Sequence, residues 1–228
     1  MAAAPDVLSR RAALEAYAAE TAGCTQCRLA QGRTQVVFGV GDPDADLMFV
    51  GEAPGFHEDK QGYPFVGSAG KLLDGLLEGI GLTRNDVYIA NVLMCRPPGN
   101  RDPQPDEIAA CEAHLFRKIE LIEPKLIATL GNFATKLLSG KPHGITRVHG
   151  CPQEATLGGR RVTLFPIYHP AAALYTPAML KTLQEDFARI PALLAPEEPA
   201  PAPAAVIPFP AVATAVPAQA ADEQLGLF

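Results

Sequence analysis

The chemistry in this chain is concentrated in its cysteines and in a few polar residues set among apolar ones. Cys24 and Cys27 are separated by two residues, Cys27 and Cys95 by 67, and Cys95 and Cys111 by 15. Two thiols flanking a Pro-rich loop and opening a helix, added to a CxxC pair, make a four-thiolate site. That donor set suits zinc or an iron–sulfur cluster, and spacing alone does not choose between them. Taken one at a time, each would be read as a buried thiol. A thioredoxin-like role is disfavoured, because Cys24 does not follow a strand at the start of a helix. Cys151 falls outside the set and reads as structural or incidental.

A second group of residues has the character of a binding pocket. Gly51-Glu52-Ala53-Pro54-Gly55 leaves an apolar run with little side-chain bulk, so that a ligand can approach the backbone closely. It is not a phosphate loop of the Walker type: Gly70-Lys71 has Phe65 where the earlier Gly belongs and Leu72 in place of Ser or Thr. Pro64-Phe65-Val66-Gly67 places an aromatic face just before a helix. Asn91 lies within an apolar run, where a buried amide needs partners, and an amide offers the paired donor and acceptor that reading a base edge requires. His169-Pro170 closes the last apolar run. Considered separately, these residues read equally well as turn punctuation, core packing, a structural hydrogen bond and a structural histidine.

The elements that must position these groups alternate between strand and helix. Helices are expected over 7–22, 68–80 with Ser68 as N-cap, 106–122, 132–138 and 171–190. Strands are expected over 35–38, 47–50, 87–92, 126–130 and 162–167. This alternation predicts an α/β domain with a largely parallel sheet, whose ligands sit at the carboxyl ends of the strands. Those ends carry Gly51–Gly55, Asn91–Cys95, Gly131–Asn132 and Tyr168–Pro170. No internal repeat is visible.

Composition bounds the alternatives. The chain has 228 residues with 48% hydrophobic and 19% charged, enough for a true core. Eight of its 22 prolines lie in residues 191–228, which carry four acidic and no basic residues. The net charge of −6 argues against coating nucleic acid by bulk charge, although the remainder, with 19 basic and 21 acidic residues, is nearly balanced and leaves room for a local basic groove. The start has no apolar stretch of the secretory kind, and the uncharged run near the C-terminus is too rich in proline and alanine to span a membrane. These features point to a cytoplasmic protein.

In combination, GEAPG, PFVGSAGKLLDGLL, YIANVLMCRPPGNRDP and HPAAAL, with the four cysteines at this spacing, resemble the family 4 uracil-DNA glycosylases, the iron–sulfur type of the uracil-DNA glycosylase superfamily. The resemblance runs from about Cys24 to Ile190. It implies a single α/β domain with a central four-stranded parallel sheet flanked by helices, and a [4Fe–4S] cluster held by Cys24, Cys27, Cys95 and Cys111. It implies an enzyme that releases uracil from single- or double-stranded DNA and leaves an abasic site. Phe65 would then stack on the flipped base and Asn91 would pair with its polar edge. Glu58 would close the pocket near C5, and His169 would donate to O2 as charge develops there. Glu52, Ala53 and Asn100 would line the site near the attacking water. The most active superfamily members carry Asp where this chain has Ala53, so catalysis is expected to lean on the leaving group. The covalent relatives carry Gln at that place and a His-containing insertion, both absent here. Ala172, Ala173 and Leu174 resemble a minor-groove wedge. Arg96, Arg101, Lys141, Arg147 and Lys181 are candidates for phosphate contacts.

The domain organisation expected is a catalytic body over 1–190, a Pro/Ala-rich linker over 191–223 and a terminal peptide over 224–228. That peptide, Gln224-Leu225-Gly226-Leu227-Phe228, resembles the sliding-clamp-binding motif of bacterial repair and replication proteins, with Gly226 where Ser or Asp is usual. Gln224, Leu225, Leu227 and Phe228 would make the contacts of an otherwise monomeric enzyme. The alternative is a non-catalytic iron–sulfur protein of the same fold that binds DNA or adapts the clamp. Retention of Phe65, Asn91 and His169 together favours the enzyme.

Overall fold

The computed structural model describes residues 7–195. The expected linker from 196 onward and the terminal peptide lie outside the described residues. Four apolar runs form the centre of a six-stranded sheet: β2 (Leu47–Gly51), β3 (Tyr88–Asn91), β4 (Leu126–Leu130) and β6 (Arg160–Ile167). With β1 (Val40–Gly41) and β5 (Gln153–Leu157) at the two edges, the order is β1-β3-β2-β4-β6-β5. The pairs β2–β3, β2–β4 and β4–β6 are parallel, and both edge pairings are antiparallel.

The apolar runs are nearly continuous because both faces of the central sheet are covered. Successive side chains divide between the faces. Met48, Val50, Ala90 and Ile127 join the core against α1 (Val7–Thr21) and α4 (Pro105–Ile122), whereas Leu47, Phe49, Ile89 and Ala128 join the core against α3 (Ser68–Glu78) and α8 (Pro177–Phe187). Phe49 is fully buried and stacks on Phe187 at 5.6 Å between ring centroids. Truncating it to alanine would cost about 3–5 kcal/mol.

The remaining helices are short: α2 (Phe56–Gln61), α5 (Asn132–Ser139), α6 (Ile145–Val148), α7 (Pro170–Ala173) and α9 (Ile190–Leu194). α4 starts with Pro105 at its first position, and the Gln104 backbone N–H donates to buried Glu107 at 2.9 Å.

Several expectations are corrected. Residues 35–38 are not a strand; the Val37 N–H donates to the Met94 carbonyl at 2.8 Å in an isolated bond, and pairing begins only at Val40. The N-cap of α3 is Gly67 rather than Ser68. The helix expected over 171–190 is broken: α7 is one turn, and α8 restarts at Pro177, whose ring disfavours a helical residue before it. Among the described residues no helix is long and apolar enough to cross a membrane.

Candidate functional site

The carboxyl ends of β2, β3 and β6 open into a cleft of about 660 Å³. It is lined by Glu52, Ala53, Glu58, Phe65, Asn91, Asn100 and His169, so the structure brings seven sequence-predicted residues to one place. The geometry follows from strand register. Gly51 pairs with Asn91 across β2 and β3, which sets the amide beside a residue without a side chain. A Cβ on Gly51 would run into Asn91 Oδ1, and would also meet Phe65 Cζ at 2.7 Å. The absent side chain is therefore the space in which Asn91 and Phe65 meet. Asn91 is 3% exposed, and its buried Oδ1 has no hydrogen-bond partner among the described residues. An unpaired buried acceptor costs about 1–3 kcal/mol, so this one awaits a donor from a ligand.

Phe65 stacks on His169, with ring centroids 5.5 Å apart and 25° between planes. Its backbone adopts φ 54°, a left-handed conformation unusual for an aromatic residue. Three groups hold it there. Arg84 donates to the Pro64 and Phe65 carbonyls while pairing with Asp74 at 2.5 Å. Glu58 Oε1 accepts from the Val66 and Gly67 backbone N–H groups, both at 2.9 Å. Gly70 lets α3 approach so closely that any Cβ would strike the Phe65 carbonyl. Arg84 and Asp74 were not legible in the sequence, since lone charged residues outside a motif carry no local signal.

His169 caps α7, and its Nδ1 accepts from the Ala171 N–H at 3.2 Å. Nδ1 as acceptor leaves the hydrogen on Nε2. Burial pushes its pKa down to about 4, against an opposing pull from the Glu58 charge, so the ring is neutral at pH 7 and still a donor. Burial, with Asp102 nearby, pushes the Glu52 carboxyl up to about 6. Asn100 is exposed in a turn with φ 54°, and Arg96 Nε donates to its Oδ1 at 2.7 Å. Arg101 holds Glu107 through bonds of 2.9 and 2.6 Å. Of the other basic residues named from the sequence, Lys141 donates to Gln153 at 3.1 Å and Lys181 lies 3.9 Å from Glu185.

On the turn after His169, Ala172 and Leu174 are exposed, whereas Ala173 is packed into the core. Tyr175, a lone aromatic residue outside any motif, is 89% exposed and lines the cleft beside Leu174.

The four cysteines line a second, small cavity together with Arg33, Leu93 and Met94. Cys24 and Cys27 come from the loop after α1, Cys95 follows β3, and Cys111 lies on α4. Three of the four sulfurs meet a hydrogen-bonding nitrogen: Arg33 Nη1 to Cys95 at 3.4 Å, the Met94 N–H to Cys111 at 3.4 Å, and His114 Nε2 to Cys24 at 3.5 Å. Burial pushes the Cys111 thiol up to about 11 and raises Cys95, so a bound group must displace protons there. Among the described residues no three His, Cys, Asp or Glu side chains are grouped as ligands of a single metal ion. Four thiols around one cavity, with N–H groups directed at three of the sulfurs, fit a group held by four thiolates. Cys151 is exposed and away from this cavity.

Comparison with known proteins agrees with this geometry. Residues 38–192 match the sequence profile of the uracil DNA glycosylase superfamily. The chain is 50% identical over 182 residues to a type-4 uracil-DNA glycosylase of Sulfurisphaera tokodaii, covering 78% of this chain and 83% of the relative. It is 45% identical over 184 residues to a type-4 uracil-DNA glycosylase of Archaeoglobus fulgidus, covering 79% and 92%. A type-4 uracil-DNA glycosylase of Thermotoga maritima is 46% identical over 167 residues, covering 73% and 85%.

Proposed function

The chain belongs to the uracil DNA glycosylase superfamily, and from that premise we propose that it hydrolyses the N-glycosidic bond of deoxyuridine in DNA, releasing uracil and leaving an abasic site for base excision repair. The observation that carries the reading is the orphaned Asn91 Oδ1 at the floor of the cleft. Uracil N3–H is the donor it lacks, and the amide N–H can meet O4. Cytosine reverses both groups and leaves the acceptor facing another acceptor, which costs more than a missing contact.

The remaining steps follow from the same residues. A base in a duplex is flipped out at a cost of a few kcal/mol, much of which a single strand avoids. Phe65, already fixed by Arg84 and Glu58, stacks on the uracil face. Glu58 fixes the wall near C5 that disfavours the methyl group of thymine. As the bond from N1 to C1′ breaks, negative charge collects on uracil O2. Neutral His169 donates to it from Nε2, a preorganised donor that costs no reorganisation at the moment of reaction. Ala53 supplies no carboxylate to balance the sugar cation, so stabilising the leaving group carries more of the barrier. Glu52, in the wall of the cleft, positions the attacking water. Asn100 serves the water through its amide nitrogen, its oxygen being occupied by Arg96. Arg101, which lines the cleft, and Arg96, bonded to Asn100 beside it, serve as phosphate contacts, and Ala172 and Leu174 form the exposed part of the wedge.

Cys24, Cys27, Cys95 and Cys111 would hold a [4Fe–4S] cluster. When bound, it ties the loop after α1 to the end of β3 and to α4, a structural crosslink near the cleft. The enzyme is a monomer acting in the cytoplasm on chromosomal DNA. Its catalytic body is followed by the Pro/Ala-rich linker and by Gln224–Phe228, which recruits it to a sliding clamp. Deleting Gln224–Phe228 should abolish clamp binding and leave cleavage of short oligonucleotides intact; unchanged clamp affinity would reject that role.

The test of the main reading is single-turnover cleavage. Asn91→Ala and His169→Ala should each lower the rate sharply without unfolding the protein, and no adduct resistant to SDS and heat should form. Wild-type rates in either variant would overturn the roles given to Asn91 and His169, whereas no cleavage by the wild-type protein with its four-cysteine site loaded would favour the non-catalytic DNA-binding or clamp-adaptor alternative.

A further inference from the structure

One buried charge has no counter-ion among the described residues. Lys118 is fully buried on α4. Its Nζ donates to the Phe38 carbonyl at 2.7 Å and lies 4.8 Å from the centroid of the Phe38 ring. A carbonyl and a ring face are weak compensation for a desolvated ammonium, which is ordinarily kept only where an anion answers it. Burial pushes Lys118 down to about 8, and the one group that acts in the opposite sense is the Cys111 sulfur.

The sequence spacing explains why these groups share a neighbourhood. Cys111, His114 and Lys118 follow one another at i, i+3 and i+7 on α4, a single stripe of the helix. His114 continues the pattern. Tyr17 Oη lies 2.6 Å from its Nδ1. With the phenol as donor, the ring hydrogen remains on Nε2, which points at Cys24 Sγ at 3.5 Å. Tyr17 in turn packs edge-on against Phe38, the residue that holds Lys118. One helix stripe thus supplies a sulfur ligand, an N–H donor to a second ligand and a buried positive charge.

We propose that Lys118 is a buried counter-cation of the group bound by the four cysteines, additional to Arg33 at Cys95, and that it raises that group's reduction potential. This rests on the reading of Cys24, Cys27, Cys95 and Cys111 as a cluster site. Four thiolates around an iron–sulfur core carry net negative charge, which supplies the anion that Lys118 lacks. Seven residues along a helix are about 10 Å. At that distance and an effective dielectric of about 20, one elementary charge changes an equilibrium by roughly tenfold.

The experiment uses the holoprotein, purified without oxygen and quantified for iron and sulfide, with voltammetry on the wild type, Lys118→Met and Lys118→Arg. Removing the positive charge favours the oxidised member of whichever one-electron couple is observed. Lys118→Met should therefore lower the equilibrium constant for reduction about tenfold, or ~59 mV, and should lose its visible absorbance several-fold faster in the presence of a chelator. Lys118→Arg should keep the wild-type potential. Met fills a similar volume, so a packing role would leave the potential in place; an unchanged potential in Lys118→Met, or an equal shift in Lys118→Arg, overturns the proposal. Wild-type protein that contains zinc, or no iron and sulfide at all, overturns the cluster reading itself and the counter-cation with it.

Discussion

Replacing Asn91 with alanine separates recognition from stability. Asn91 is 3% exposed and its Oδ1 is unpartnered among the described residues, so in the free protein this amide is a liability of about 1–3 kcal/mol. Truncating it removes that liability and leaves a small void beside Gly51, and the two effects oppose each other. The net change in stability is expected within about 1 kcal/mol, a shift of about 2–4 °C in Tm for a chain of this size. In the complex the amide makes two hydrogen bonds to the uracil edge. At about 1–1.5 kcal/mol each, losing both removes about 2–3 kcal/mol, or roughly 30- to 160-fold in single-turnover rate at fixed subsaturating enzyme. The assays are cleavage of a single-stranded oligonucleotide containing one deoxyuridine, and thermal melting of the same preparation. A variant that melts more than about 6 °C lower yet cleaves within threefold of wild type would show Asn91 to be a structural amide and refute the reasoning.

Further predictions concern the groups around the cleft. Arg84→Met should free the Phe65 loop, weakening substrate binding about tenfold and costing about 2 kcal/mol through two lost carbonyl bonds and the Asp74 pair; denaturant unfolding and a binding titration check both. Glu58→Gln should lose much of its charge-assisted hold on Val66 and Gly67, about 1 kcal/mol, measured by melting. The pKa of Glu52 is raised on folding, so folding is favoured by its protonated form and stability falls as pH rises from about 4.5 to about 6. Glu52→Gln should therefore gain about 1 kcal/mol at pH 8, after discounting for partial exposure, and nothing at pH 4; urea midpoints at the two pH values measure this. His169 loses its neutral form only near pH 4, so in Glu52→Gln the single-turnover rate should stay level from pH 8 to about 5 and fall below that.

The legible parts of this molecule are those in which one residue type has one physical use. Leu47–Val50 and Leu126–Leu130 read as strands because only a sheet covered on both faces keeps every side chain of such runs dry. Asn91 stood out because an amide there needs a partner, and the four cysteines because thiols at that spacing share a purpose. Other features depended on distant contacts. β5 alternates half-buried and exposed residues along a sheet edge, a pattern that a polar loop shares. The break at Thr176 follows from Pro177, yet a proline at the first turn of a helix is equally ordinary inside one continuous reading. Arg84 and Asp74 acquire meaning only when the turn after α3 returns Arg84 beside Asp74 and the Phe65 carbonyl. Ala173 reads like its neighbours until α7 turns it inward.

The most direct measurement is incubation of the purified protein with matched single-stranded oligonucleotides carrying one deoxyuridine or one thymidine, followed by alkali and a sizing gel. Cleavage at uracil alone is the expected result, with Asn91→Ala and His169→Ala strongly impaired. An intact uracil strand from protein with its four-cysteine site fully loaded would contradict the assignment of the cleft.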